Sequence, residues 1–114
     1  MTEADGIVSA AGARVSIGLP VYNGAAAMAS VLAQSFSDFE LLVSDNASTD
    51  ATAAICARFA AQDARVRYVR QPENIGAKAN FRFVLAQATA PLFMWMAADD
   101  ICEPDMLGAL VAVH

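Results

Sequence analysis

At 114 residues the chain is one domain or part of one, and 57% apolar against 17% charged residues supply a core, which excludes a disordered chain. The net charge of −5 argues against broad electrostatic binding to nucleic acid or to an anionic membrane. Cys56 and Cys102 stand far apart with no Cys-x-x-Cys or Cys/His cluster, so neither a zinc site nor a disulfide framework is expected, and a reducing, cytoplasmic setting fits.

Residues 1–13 are small and polar with two glycines and read as a flexible leader to a domain over 14–114. The acidic start, Glu3 and Asp5, is unlike a signal peptide. Residues 15–20 read as a first strand ending at Pro20, followed by a helix over 24–34 with Asn23 as a candidate N-cap. A second strand covers 39–44, and the polar loop 45–50 opens a helix over roughly 49–61, with Ile55 and Phe59 on one face. Val66-Arg67-Tyr68-Val69-Arg70 alternates as an edge or half-exposed strand does. Asn74-Ile75-Gly76 is a turn, and 77–88 a helix.

The apolar run 91–97 reads as a strand buried on both faces, and Gln87, Thr89 and Pro91 interrupt the apolar stretch 83–98 too often for a membrane span. A last apolar helix runs from about 104 to the end, which suggests a module that continues beyond it. Membrane proximity is left to segments outside these residues. Strands alternating with helices at this spacing specify an α/β fold with right-handed crossovers and a mostly parallel sheet.

In such a sheet ligands bind at the carboxyl ends of the strands. The run ending at Ala98 stops at Asp99 and Asp100, two adjacent carboxylates suited to a hard cation carrying phosphate oxygens. Two further loops share that edge: Pro20-Val21-Tyr22-Asn23, where Tyr22 offers a face for a base, and Asp45-Asn46-Ala47-Ser48, where Asp45 can accept from an imide N–H. Each loop also has a plain reading. Tyr22 could pack on a helix, and Asn23, Asp45, Ser48 and the Asp pair could cap helices. Five of the seven basic residues, Arg65, Arg67, Arg70, Lys78 and Arg82, fall in one stretch, as a local anion site or a solvated face. Neither G-x-G-x-x-G nor G-x-x-x-x-G-K-[ST] occurs.

Taken in order, residues 15–23, the run from Glu40 to Asp50, Asn74-Ile75-Gly76, and Asp99-Asp100-Ile101 with Pro104 resemble the signature of family 2 glycosyltransferases over about residues 14–107. The resemblance implies the N-terminal half of a GT-A fold, a Rossmann-like sheet flanked by helices. It implies inverting transfer from a nucleotide-diphosphate sugar to a glycan or lipid-linked acceptor, with Mg²⁺ or Mn²⁺ on the diphosphate. By motif, Pro20, Tyr22 and Asn23 border base and ribose, and Asp45 bonds the base. Lys78 approaches the phosphates, Asp99 is next to the metal, and Asp100 supports the metal shell or the sugar. The chain departs from the pattern in having Ala97-Ala98-Asp99-Asp100 for D-x-D-D and Asp45-Asn46-Ala47-Ser48 for Asp-Asp-Gly-Ser. The resemblance places the general base in a later segment, and Glu103 and Asp105 read as structural. A non-catalytic nucleotide-binding or scaffolding module is the alternative, and a nucleotidyltransferase a distant third.

Overall fold

The computed structural model describes residues 13–24, 26–96 and 105–112. The strands are β1 (Val15–Val21), β2 (Phe39–Asp45), β3 (Val66–Arg70) and β4 (Leu92–Trp95). The helices between and after them are α1 (Ala26–Leu32), α2 (Thr52–Gln62), α3 (Ala77–Gln87) and α4 (Met106–Ala112). All pairings are parallel, in the order β3-β2-β1-β4. The chain steps outward from β1 through β2 to β3, then crosses back through α3 to β4 on the other side of β1. Right-handed crossovers then put α1 and α2 on one face and α3 on the other, with the reversal of direction between β1 and β4.

The two faces differ in chemistry. Val15, Ile17, Leu19 and Val21 of β1 join Leu41 and Val43, Met28 and Val31 of α1, Cys56 of α2, and Leu107 and Val111 of α4 in one apolar core. The alternate residues of β1 and β2 meet α3, and there the packing is tight and partly polar. A Cβ on Gly18 would lie 2.8 Å from the Phe93 ring and 2.9 Å from Val84, so glycine is what lets α3 and β4 approach β1. On the same side Ser16, Glu40, Ser44 and Asn80 are buried and bonded to one another or to neighbouring loops.

The expected elements are present, with local differences. β1 and β2 each run one residue further than expected, so Val21 and Asp45 are strand residues. The first helix is shorter than 24–34 and the last begins at Met106. The edge character expected of β3 is observed, for among the described residues it pairs only with β2.

The expectation of a strand buried on both faces at 91–97 is corrected. β4 pairs only with β1 among the described residues; Leu92, Phe93 and Met94 are half-buried and Trp95 is 46% exposed. An apolar run cannot distinguish a central strand from an edge strand lined with aromatics, and here Trp95 packs edge-on against Phe93 at 5.1 Å and beside Phe81 at 5.9 Å. No helix among the described residues is long and apolar enough to cross a membrane.

Candidate donor site at the carboxyl edge of the sheet

The loops after β1, β2 and β3 are joined side chain to backbone. Asn23, with a positive φ of 51° that Asn tolerates, donates its N–H to Ser48 Oγ at 2.8 Å, and its Oδ1 accepts the Thr49 N–H at 2.8 Å. It thus ties the first loop to the second and does not serve as the N-cap read from the sequence. At the next helix, the entry to α2 is held by Asp50, whose Oδ1 accepts the Thr52 N–H at 2.8 Å; bonds from Thr52 hold this carboxyl below the usual range.

Asp45 ends β2 as expected, yet none of it is exposed. Its Oδ1 accepts both the Ser48 N–H (2.9 Å) and the Ser48 hydroxyl (2.6 Å), and its Oδ2 accepts the Tyr68 hydroxyl at 3.0 Å. Burial, then the bond and charge of Asp45, push the Tyr68 phenol well above its ordinary value, so Tyr68 is a neutral donor. In this arrangement Asp45 orders the protein's own groups, Ser48 on one oxygen and Tyr68 on the other.

Asn46 is the junction. Its N–H donates to the Val21 carbonyl and its Oδ1 accepts the Ile75 N–H, each at 2.8 Å, so one residue binds the end of β1 and the turn before α3. Ala47 then takes a φ of 61°, a region that costs an L-residue about 1–2 kcal/mol. Ala47→Gly is expected to raise stability by about 0.5–1 kcal/mol, the relief of strain exceeding the added freedom of the unfolded chain. Thermal unfolding of the two proteins checks this; a lower Tm for the glycine variant contradicts it.

Behind these loops, Ser44 Oγ donates to Asn80 Oδ1 at 2.6 Å and accepts Gln71 Nε2 at 3.0 Å, while Asn80 Nδ2 donates to the Ser44 carbonyl at 3.0 Å. This buried cluster locks α3 to the end of β2. Gly76, with φ 88°, opens the helix, and its N–H donates to Asn74 Oδ1 at 2.8 Å.

Of the residues expected at the site, Pro20 is buried in β1, Tyr22 is 49% exposed, and Asn23 is exposed. Lys78 is exposed in the first turn of α3, next to the joined loops. Asp99 and Asp100 lie outside the described residues, as does Glu103. Among the described residues no three of His, Cys, Asp and Glu come together as a metal site. Asp105 accepts the Ser35 hydroxyl at 2.7 Å, in keeping with a structural role.

The basic stretch divides. Arg65 chelates Asp63 (Nη2–Oδ2 2.8 Å) and lies 4.4 Å over the Phe39 ring; Arg67 pairs with buried Glu40; Arg70 donates to the Ser48 carbonyl at 3.2 Å. Only Lys78 and Arg82 fit a simple solvated face. Buried Cys56 is no nucleophile, because burial and then the Asp45 charge push its thiol up to about 11. Sequence reasoning missed Tyr68, Gln71 and Asn80. Their spacing carries no signal, since each meets its partner only across strand register or helix packing.

The chain matches the model for glycosyl transferase family 2 over residues 16–114. It belongs to that family. It is 31% identical to EpsE of Bacillus subtilis, over 89% of this chain and 38% of EpsE. It is 28% identical to the glycosyltransferase GlyG of Streptococcus pneumoniae, over 84% of this chain and 33% of GlyG. The chain therefore spans about a third of the length of these relatives.

Among solved structures it resembles S. aureus TarS 1–349 in complex with UDP, with a TM-score of 0.78 and 24% identity, covering 87% of this chain and 31% of that one. It also resembles the mannosyltransferase PcManGT of Pyrobaculum calidifontis in complex with GDP-Man and Mn²⁺, with a TM-score of 0.77 and 26% identity, covering 86% and 31%. The parallel α/β sheet of this family 2 member is thus the GT-A arrangement of those neighbours.

Proposed function

We propose that this family 2 chain carries the donor site of an inverting glycosyltransferase that moves a sugar from a nucleotide-diphosphate sugar to a hydroxyl of a glycan or lipid-linked acceptor. One observation supports this above the others: the loops after β1, β2 and β3 are joined into one rim by Asn23, Asp45 and Asn46, beside the reversal of strand order, with Tyr22 left half-exposed. The related structures with UDP and with GDP-Man and Mn²⁺ lend it weight.

In this reading Tyr22 stacks on the base, with Pro20 and Asn23 bordering base and ribose. Asp45 lies beneath the base, where it keeps Ser48 and the rim in place. Lys78 offsets the phosphate charge. Asp99, supported by Asp100, would hold Mg²⁺ or Mn²⁺, a fit resting on the preference of hard cations for carboxylate oxygens. The cation, when bound, would stabilise the diphosphate as leaving group. The acceptor oxygen then attacks the anomeric carbon opposite the diphosphate, with its proton taken by a base outside the residues assigned here.

Calorimetric titration of UDP, GDP, dTDP and CDP, each with and without Mn²⁺, tests the reading on the wild-type protein and Asp99→Ala. Mn²⁺-dependent binding of at least one nucleotide, weakened about tenfold or more in Asp99→Ala, is expected. Binding indifferent to Mn²⁺ and to Asp99 points to the non-catalytic nucleotide-binding module. No binding by protein shown to be folded sinks both.

A further inference from the structure

We propose that β4 is a pairing edge whose occupant is the β4 strand of a second copy of this chain, joined antiparallel about a two-fold axis at Met94. This assembly is independent of the donor-site reading above, because the antiparallel contact turns the two carboxyl edges to opposite ends.

The two edges of the sheet differ in chemistry. β3 carries Arg67 and Arg70, and charge on an edge strand guards against strand addition. β4, Leu92-Phe93-Met94-Trp95, carries neither charge nor proline, and among the described residues it pairs only with β1. Six large apolar side chains are exposed among the described residues, and four of them, Phe81, Leu85, Trp95 and Leu110, belong to β4 or to the helices α3 and α4. The Phe81 and Trp95 rings are neighbours, and Leu85 follows Phe81 one turn along α3. On the other face Leu110 lines an open apolar groove with Leu92, Met94 and Leu107.

The backbone selects the register. The Leu92 N–H donates to the Arg14 carbonyl and the Met96 N–H to the Gly18 carbonyl, so the even-numbered residues turn toward β1. Alternation along an extended strand then aims the N–H and C=O of Phe93 and Trp95 away from it. A strand paired with its own copy about a two-fold axis runs antiparallel, and each hydrogen-bonded pair needs outward-turned residues on both sides. Centring the axis on Met94 meets that need: Phe93 stands opposite the partner's Trp95, and Trp95 opposite the partner's Phe93. Each face of the sheet then meets its own kind. Aromatic rings face aromatic rings on the α3 side, and the groove beside α4 meets its twin. A strand of four residues makes a small contact, near the lower limit of about 1,200 Å² for specific complexes, so a micromolar dimer is expected and not an obligate one.

Trp95 is the one tryptophan of the chain, so its emission reports on this edge without any substitution. Sedimentation velocity of the 114-residue protein from about 1 to 500 µM is expected to show monomer passing to dimer, with the emission moving to the blue over the same range. Trp95→Lys sets a charge on the edge and is expected to raise the dissociation constant about tenfold or more, whereas Val69→Lys, at an exposed position of β3, leaves it unchanged. A protein that stays monomeric overturns the inference and gives the β4 edge to another part of the polypeptide. A dimer whose emission does not move, or one weakened equally by Val69→Lys, lies on another surface and overturns it too. So does growth beyond the dimer, because a two-fold contact closes. The emission is read on the wild-type protein, so the test stands even where Trp95→Lys fails to fold.

Discussion

Glu40→Gln is expected to lower the stability of the protein by about 2–3 kcal/mol near neutral pH, a fall in Tm of about 10 °C. Glu40 sits mid-strand in β2 with none of its surface exposed. Its Oε2 accepts the Ser16 hydroxyl (2.5 Å), the Thr89 N–H (2.9 Å) and the Thr89 hydroxyl (2.8 Å), and its Oε1 accepts Arg67 Nη1 at 3.1 Å. One carboxylate thus joins β1, β2, β3 and the segment leading into β4. A carboxamide keeps one acceptor oxygen and sets its NH₂ against either the Thr89 N–H or the Arg67 guanidinium, groups that can only donate. Arg67 contributes less to the loss, because its side chain is 39% exposed and returns to water when unpaired.

The same group sets a pH dependence. Burial by itself would raise the Glu40 pKa, but the bonds from Ser16, Thr89 and Arg67 together outweigh it and hold the carboxyl below its ordinary value. A pKa lower in the folded state means that the unfolded chain binds the proton more readily on the acid side. The stabilisation is therefore complete above the ordinary glutamate pKa of about 4.3 and is lost as pH falls through the lower folded value. Asp50 and Asp63 are depressed too, so the comparison with Glu40→Gln isolates this residue. Urea unfolding from pH 7 down to pH 3 should show the gap between wild type and variant narrowing at the acid end. A gap that is constant across the range would mean that Glu40 acts through shape rather than charge.

Asp45→Ala is expected to destabilise by about 3 kcal/mol and Asp45→Asn by much less. Alanine strands the Ser48 N–H, the Ser48 hydroxyl and the Tyr68 hydroxyl in a place closed to water. Asparagine can keep both Ser48 bonds on its oxygen, and the Tyr68 hydroxyl can turn to accept from its nitrogen. The rim depends on this carboxylate through Ser48, which also receives the Asn23 N–H. Nucleotide affinity should follow the same order, wild type, then Asn, then Ala. Equal stability of the two variants in chemical denaturation would show that charge, not hydrogen-bond count, sets the contribution of Asp45.

Much of the fold was legible because its signals are local. The alternation in Val66-Arg67-Tyr68-Val69-Arg70 marked an edge strand whose observed limits are those residues. The ordered motifs pointed to the family whose model matches residues 16–114. Local signals failed where an alternative partner lay across the sheet. Asn23 before a helix looks like a cap, but the Thr49 N–H beside it takes its side chain. The run 91–97 has the composition of an inner strand, but only β1 pairs with it among the described residues.

The sequence by itself determined the alternation of strands and helices, hence a parallel α/β sheet with ligand-binding loops at one edge, and family membership through motifs read in order. Tertiary structure alone decided which polar residues are closed off and which remain available. Asp45 and Asn46 are adjacent in the chain, similar in size and both buried, yet one holds Ser48 and Tyr68 while the other holds the turn at Ile75. The reason is physical. Secondary structure follows from periodicities within a few residues, whereas hydrogen-bond partners follow from strand register and helix packing, which bring Tyr68 to Asp45 and Ile75 to Asn46.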